Sequence, residues 1–321
     1  MLKGRFAPSP SGRMHLGNVY SALISWLSVR SSGGRWLLRI EDLDRQRCRR
    51  EYAEQLMDDL RWLGLDWDEG PGTGSSYFQS ERDSVYERMF HTLQKQGLVY
   101  DCFCRRADLF AADAPHTSDG TPVYAGTCRA LTPAQRSALA AVRRPASRIM
   151  TEDTESVFTD GHYGVQTCNL LHDCGDFVLR RSDGNFAYQL AVVADDALMG
   201  VTEVVRGRDL LASTHQQLYL YRRLGFMPPR FLHLPLLVSS DGRRLSKRDK
   251  ALDMGVLRSR YSPRQVIGEI MHLCGFIPAA EPLSLSDALS VFSWEQLPHD
   301  DIRVFQTTPV SDNCMDIYSS I

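Results

Sequence analysis

No apolar run in this chain reaches the roughly 18–20 residues that a membrane-spanning helix needs, so no membrane partner is expected. Met1-Leu2-Lys3-Gly4 runs directly into a Pro- and Ser-rich motif, with no room for a signal peptide, and a cytoplasmic protein is the expectation. A surplus of charge is also missing: the net charge is -2, which excludes a global basic field. Any nucleic-acid partner must therefore meet a locally basic face. Such clusters exist at Arg45 to Arg50 and at Arg243 to Lys250, although solvated helix and loop faces would read the same way. Internal repeats are absent. What remains, 43% hydrophobic and 24% charged over 321 residues, is the composition of a globular protein with one large or two ordinary domains.

Eight cysteines in a chain without an export signal are expected to be reduced rather than paired. Cys102, Cys104 and Cys128 lie close in sequence, and a C-x-C followed by a third cysteine points to a soft metal site. The fourth ligand is open between Tyr124 and His116. Cys48, Cys168, Cys174, Cys274 and Cys314 are scattered and read as inert or buried thiols.

The chain alternates strands and helices. Gly4 to Ala7 is a short strand and Pro8 to Met14 a loop. His15 to about Ser31 has helical spacing of apolar and polar residues and ends at Gly33-Gly34. Trp36 to Ile40 is a buried strand by its apolar character; Glu51–Leu63 and Ser84–Lys95 are amphipathic helices. This argues a parallel α/β sheet. Residues 101–185 break the pattern and look like an insertion. Strand and helix then resume through Glu203–Arg206 and Ser213–Leu224. From about residue 255 the chain reads as helical, with a polar tail from Val304.

Two distant segments carry chemistry. His15-Leu16-Gly17 opens a helix after a strand and tight loop, where backbone N–H groups and the helix dipole attract phosphate. Far downstream, Arg244-Leu245-Ser246-Lys247 places a lysine in a basic loop suited to stabilising charge on phosphorus. Alone, each also reads as an ordinary helix cap or a solvated turn. Together and in this order they resemble the two signature sequences of class I aminoacyl-tRNA synthetases.

The flanking sequences narrow the resemblance. Arg5-Phe-Ala-Pro-Ser9-Pro-Ser-Gly12, Arg39-Ile-Glu41-Asp42, Phe186-Ala-Tyr188-Gln-Leu, Val204-Val-Arg206-Gly-Arg-Asp-Leu and His233-Leu-Pro-Leu are similar to the glutamyl-tRNA synthetase branch, over roughly residues 4–250. The resemblance implies an α/β, Rossmann-like catalytic domain with a zinc-containing insertion and a short helical stem-contact region. The boundaries are 1–100 and 186–252 for the two catalytic halves, 101–185 for the insertion and 253–321 for the C-terminal region. It implies ATP at His15, Gly17, Asn18, Arg244, Leu245, Ser246 and Lys247, with catalysis carried by His15, Gly17 and Lys247. It implies L-glutamate at Arg5, Ala7, Ser9, Glu41, Tyr188 and Arg206, Mg2+ with ATP, a tRNA partner, and a monomer. Composition alone would assign Arg39, Glu41, Asp42 and Asp44 to a surface ion-pair set.

Only about 70 residues follow Lys250, too few for the anticodon-binding region of the longer synthetases. The chain thus resembles members of the branch that attach glutamate to the queuosine base at the wobble position of tRNA(Asp), not to a 3′ end. In those members zinc is held structurally by C-x-C, a tyrosine and a cysteine four residues beyond it. Here that order is met by Cys102, Cys104, Tyr124 and Cys128. At 244 and 248 the loop carries arginines where such sequences often have lysine and glutamine. A shortened glutamyl-tRNA synthetase charging tRNA(Glu) and a non-catalytic tRNA-binding paralogue are the rival readings.

Overall fold

The computed structural model describes residues 1–74, 76–105, 123–124, 126–243, 245 and 252–304. The expectations for His116, Arg244, Ser246, Lys247, Cys314 and the tail from 305 lie outside the described residues.

One sheet is four-stranded and parallel, in the order β2-β1-β8-β9, formed by Lys3–Phe6 (β1), Arg35–Leu38 (β2), Glu203–Gly207 (β8) and Arg230–Leu234 (β9). Sequence neighbours β1 and β2 flank a crossover through helix α1, Leu16–Ser31. This helix was expected to be amphipathic. It is instead buried almost all round, because the sheet covers one side and the C-terminal helices the other. Its serines on those faces are satisfied: Ser28 Oγ donates to Glu203 at 2.6 Å, and Ser25 Oγ accepts from Trp36 Nε1 at 3.0 Å. Gly4 makes the close approach of sheet and helix feasible, since a Cβ there would lie 2.3 Å from Val29 Cγ2. Trp36 is fully buried and stacks on Phe6, with ring centroids 6.1 Å apart.

Between β2 and β8 the chain adds Arg50–Leu63 (α2), Asp83–Lys95 (α3) and then a separate block. In that block, strands β3 (Val99–Cys102), β4 (Ala146–Ile149) and β7 (Phe177–Arg180) form an antiparallel sheet. Helix α4 spans Pro133–Val142, with Thr132 as its cap. A hairpin of β5 (Glu155–Asp160) and β6 (Gly164–Asn169) leans on β9, where Gly161 N–H donates to Phe231 O at 2.8 Å.

Helices α5 (Tyr188–Leu198) and α6 (Thr214–Leu224) flank β8 in sequence. After β10 (Leu237–Ser239) come α7 (Met254–Arg260), α8 (Pro263–Leu273) and α9 (Leu285–Val291). The all-helical reading beyond residue 255 is corrected by β11, Ile302–Val304, which returns to pair in parallel with β10. Its alternation of buried and exposed residues is too short to register as a strand in the sequence.

Candidate active site

A cavity of about 470 Å3 opens at the carboxyl ends of β1, β2 and β8, the position where parallel α/β sheets bind ligands. Arg5, Ala7, Ser9, His15, Gly17, Asn18, Glu41, Tyr188, Arg206 and Leu245 all line it. Ten of the expected positions therefore converge from five separate stretches of sequence.

At one end, His15 caps α1. Its Nδ1 accepts from Gly17 N–H at 3.1 Å, and Asn18 Oδ1 accepts from His15 N–H at 3.1 Å. The plain cap reading and the phosphate reading therefore coincide. With Nδ1 accepting, the proton of the neutral ring sits on Nε2. Gly17 is needed because an added Cβ would lie 3.0 Å from His15 Cε1 and 3.1 Å from Nδ1. On the far wall, Leu245 is buried and its N–H donates to Leu237 O at 3.2 Å, while Met254 N–H donates to Met14 O at 2.9 Å. Leu245 is thus held to β10, and Met254 to the loop just before α1.

The other end is a buried charge cluster. Arg39 is fully buried and donates to Asp196 Oδ1 at 2.6 Å and to Glu41 Oε1 at 3.1 Å. This overturns the surface ion-pair reading for Arg39 and Glu41. Asp42 is used instead to bind Ser80, accepting from its N–H at 2.8 Å and its Oγ at 2.6 Å. Asp44 stays at the surface beside Arg47 and Arg181. Burial pushes the Glu41 carboxyl up against the opposing pull of Arg39 and Arg5. Arg5 is clamped on Asp196 through Nε at 3.3 Å and Nη2 at 3.2 Å. Burial works against the Asp196 carboxylate, yet Arg39 and Arg5 hold it below the usual range.

Arg206 differs from the other two arginines. It is buried, and its neighbours are neutral: Nε donates to His233 Nε2 at 3.0 Å and Nη2 to Thr214 Oγ1 at 2.8 Å. Its Nη1 has no hydrogen-bond partner among the described residues. Desolvation, and then the nearby Arg5, lower its pKa, although Tyr188 and Asp196 oppose this. A buried guanidinium with an open donor and no carboxylate of its own is a site for an anion. His233 is fixed as a neutral acceptor because its Nδ1–H donates to Asp160 Oδ2 at 2.6 Å. Burial pushes its pKa down to about 4, despite the raising effect of Asp160.

Asp160, Asp196 and Thr214 were missed by the sequence reading. Asp195 and Asp196 are adjacent in the sequence, but nothing in it says which carboxylate takes Arg5 and Arg39. In the structure Asp195 turns the other way, accepting from Arg82 at 2.7 Å, Gln79 at 2.9 Å and Tyr86 at 2.9 Å.

A second cluster forms in the insertion. The sulfurs of Cys102, Cys104 and Cys128 lie within 4.8 Å of one another. Tyr124 Oη lies 3.4 Å from Cys102 Sγ and 3.7 Å from Cys104 Sγ, and Cys104 Sγ lies 3.6 Å from Cys128 Sγ. Phe103 N–H donates to Cys128 Sγ and Arg148 Nε–H to Cys102 Sγ, both at 3.3 Å. Burial, helped by the neighbouring thiols, pushes Cys104 up to about 12 although Tyr124 opposes it. Cys128 is held low: burial opposes this, but the Phe103 N–H and the Tyr124 hydroxyl outweigh it. Among the supposedly scattered cysteines, Cys168 and Cys174 prove to be neighbours, 3.8 Å apart.

The family described as tRNA synthetases class I (E and Q), catalytic domain, matches residues 1–297. A glutamyl-Q tRNA(Asp) synthetase of Symbiobacterium thermophilum is 49% identical over 95% of this chain and 96% of its own length. One from Nitratidesulfovibrio vulgaris is 48% identical over 93% and 94%. A glutamate tRNA ligase from Elizabethkingia meningosepticum, solved with its amino acid, superposes with a TM-score of 0.78 at 29% identity, covering 94% of this chain and 66% of that longer one. With a family match over most of its length and near-half identity to these relatives from end to end, the chain belongs to the class I (E and Q) tRNA synthetases and, within them, to the group of the glutamyl-Q tRNA(Asp) synthetases.

Proposed function

We propose that the protein activates L-glutamate with ATP, without requiring RNA, and transfers the glutamyl group to the queuosine base in the anticodon wobble position of tRNA(Asp). The observation that carries the chemistry is Arg206, a buried guanidinium whose Nη1 has no partner among the described residues, in one cavity with the capped start of α1. The relatives' names support the choice of RNA.

In this reading a glutamate carboxylate lies against Arg206, with Tyr188 and Ser9 offering hydroxyls. Arg5, held by Asp196, adds positive potential, and Glu41 accepts from the ammonium group. ATP lies over His15, Gly17 and Asn18. The α-carboxylate attacks the α-phosphorus and pyrophosphate leaves. No side-chain nucleophile is involved, so the chain contributes positioning and charge stabilisation. His15 Nε2–H donates to a phosphate oxygen as charge builds there. Lys247, with Arg244 and Ser246 beside it in sequence, acts on the phosphates. Mg2+ accompanies ATP and neutralises its phosphates. The acceptor hydroxyl then attacks the glutamyl carbonyl carbon, releasing AMP.

Zn2+ suits the cysteine cluster. Tetrahedral Zn–S bonds of about 2.3 Å set sulfurs about 3.8 Å apart, and a phenolate oxygen at about 2.0 Å lies about 3.5 Å from each sulfur. The observed 3.6 Å, and 3.4 and 3.7 Å, fit those edges. Cys102, Cys104, Tyr124 and Cys128 would hold it, and the N–H groups on two of the sulfurs suit thiolates. Its role is structural: it ties the strand end at Cys102 to the Tyr124–Cys128 segment.

The test is ATP-dependent attachment of labelled glutamate to three purified RNAs: tRNA(Glu), tRNA(Asp) with queuosine, and tRNA(Asp) without it. Label confined to the queuosine-bearing RNA is expected. Label on tRNA(Glu) would make this a 3′-charging enzyme, and label on none would indicate a non-catalytic relative.

A further inference from the structure

Cys168 and Cys174 take no part in the pocket or the metal cluster. Cys168 lies near the end of β6, opposite Ser156 of β5. A single wide turn over Leu170–Cys174 then brings the chain back. That turn is tightly fixed. Asn169 Oδ1 accepts from the N–H groups of Leu171 and His172, each at 3.0 Å. Asn169 N–H donates to Asp173 Oδ2 at 2.6 Å, and Gly175 N–H to Leu170 O at 3.0 Å. The backbone therefore holds the two sulfurs in hydrogen-bond contact at 3.8 Å. Both residues are half-buried, so a small reagent can reach them.

We propose that Cys168 and Cys174 are a reversible redox-modification site, closing to an intramolecular disulfide by exchange with low-molecular-weight disulfides. Geometry supplies most of the argument. Two cysteines six residues apart usually have to find one another, whereas these are already in contact across a hydrogen-bonded turn, with 3.8 Å to close to the roughly 2.05 Å of a disulfide. Hydrogen bonding assigns the order of events. The contact with Cys168 holds the Cys174 thiol low, and the same contact together with burial pushes Cys168 up. Cys174 is therefore the attacking thiolate.

The Cys174 sulfur bonds to one sulfur of the reagent, whose S–S bond breaks; the departing thiolate takes a proton from water. Cys168 then loses its proton and attacks the Cys174 sulfur, expelling the second reagent thiolate. Two protein thiols are oxidised and one reagent disulfide is reduced to two thiols. His215 acts on the Cys168 thiol, favouring its ionised form, and is the base at hand for the second step; its Nδ1 is engaged with Ser156 Oγ at 2.9 Å.

The experiment exposes the folded, full-length, zinc-loaded protein to oxidised glutathione and analyses it under non-reducing conditions. Trypsin releases both cysteines in one peptide, residues 149–180. This peptide is expected to lose two hydrogens and to regain them with a dithiol. Cys168→Ser should instead retain a glutathione adduct on Cys174. Cys174→Ser should slow modification of the peptide, because the remaining Cys168 has lost its neighbouring thiolate and burial still disfavours its ionisation. The wild-type peptide mass reads the proposal without either variant. A peptide that stays fully reduced, a link from Cys168 or Cys174 to a cluster cysteine, or no adduct on Cys168→Ser would overturn it.

Discussion

Lowering the pH should act on this protein through one histidine. His233 is fully buried, accepts from Arg206 Nε and donates to Asp160, so the fold requires it neutral. Its folded-state pKa is about 4, against 6.5 when exposed. Between these values the unfolded chain binds a proton that the folded chain refuses. The stability that His233 contributes is thus complete above pH 6.5 and is lost as the pH falls towards 4. At about 1.4 kcal/mol per tenfold, the loss is about 2 kcal/mol between pH 7 and pH 5 and about 3 kcal/mol below pH 4. Other groups titrate in the same range, so the assay compares wild type with His233→Gln. That side chain can also accept from Arg206 and donate to Asp160, and it has no proton to gain. In urea unfolding, the wild-type minus variant stability difference should be about 2 kcal/mol smaller, in signed terms, at pH 5 than at pH 7. A wild-type minus variant difference that is the same at both pH values would refute the reasoning, because His233 would then not be the refused proton.

Three further outcomes are expected. Glu41→Gln keeps the shape of the buried cluster but removes the charge assigned to the substrate ammonium; KM for glutamate in pyrophosphate exchange should rise about 10–100-fold, the worth of one charged hydrogen bond, and an unchanged KM would remove Glu41 from the pocket. Gly17→Ala crowds the His15 ring, whose Cε1 and Nδ1 would lie 3.0 and 3.1 Å from the added Cβ; since a misplacement of about 1 Å costs about 100-fold, kcat should fall by less than that, only several-fold, with thermal unfolding as the check that the fold persists. Cys128→Ser should abolish a metal content of one zinc per chain measured by atomic emission, and equal zinc in both proteins would exclude Cys128 as a ligand.

Much of this site is legible in the sequence because its residues sit beside strand ends, in short motifs whose spacing is local. Arg5, Ser9, His15 and Gly17 follow from one strand–loop–helix segment, and Arg206 from the end of another strand. What the sequence conceals is pairing at long range. Asp196 binds both Arg5 and Arg39 across more than 150 residues, leaving Arg206 as the one of the three with no carboxylate bonded to it among the described residues. Nothing in the spacing of these residues predicts which arginine is left over. The contact of Cys168 with Cys174 was equally hidden, since it depends on a turn whose caps are side chains of Asn169 and Asp173. Ile302–Val304 became a strand because Leu237–Ser239 presented an edge to pair with, a fact about a distant neighbour.

The bond from Asp160 to His233 has a consequence for how such enzymes are recombined. Asp160 belongs to the inserted hairpin, yet it decides which nitrogen of His233 carries the proton and so which donor Arg206 has left for a ligand. The insertion is therefore not a detachable module. A chimera that exchanged residues 155–169 for a hairpin without an acid at this position would keep every residue lining the cavity. It would still hand Arg206 a differently protonated neighbour, and the cavity would lose its grip on a carboxylate without a single change in its walls.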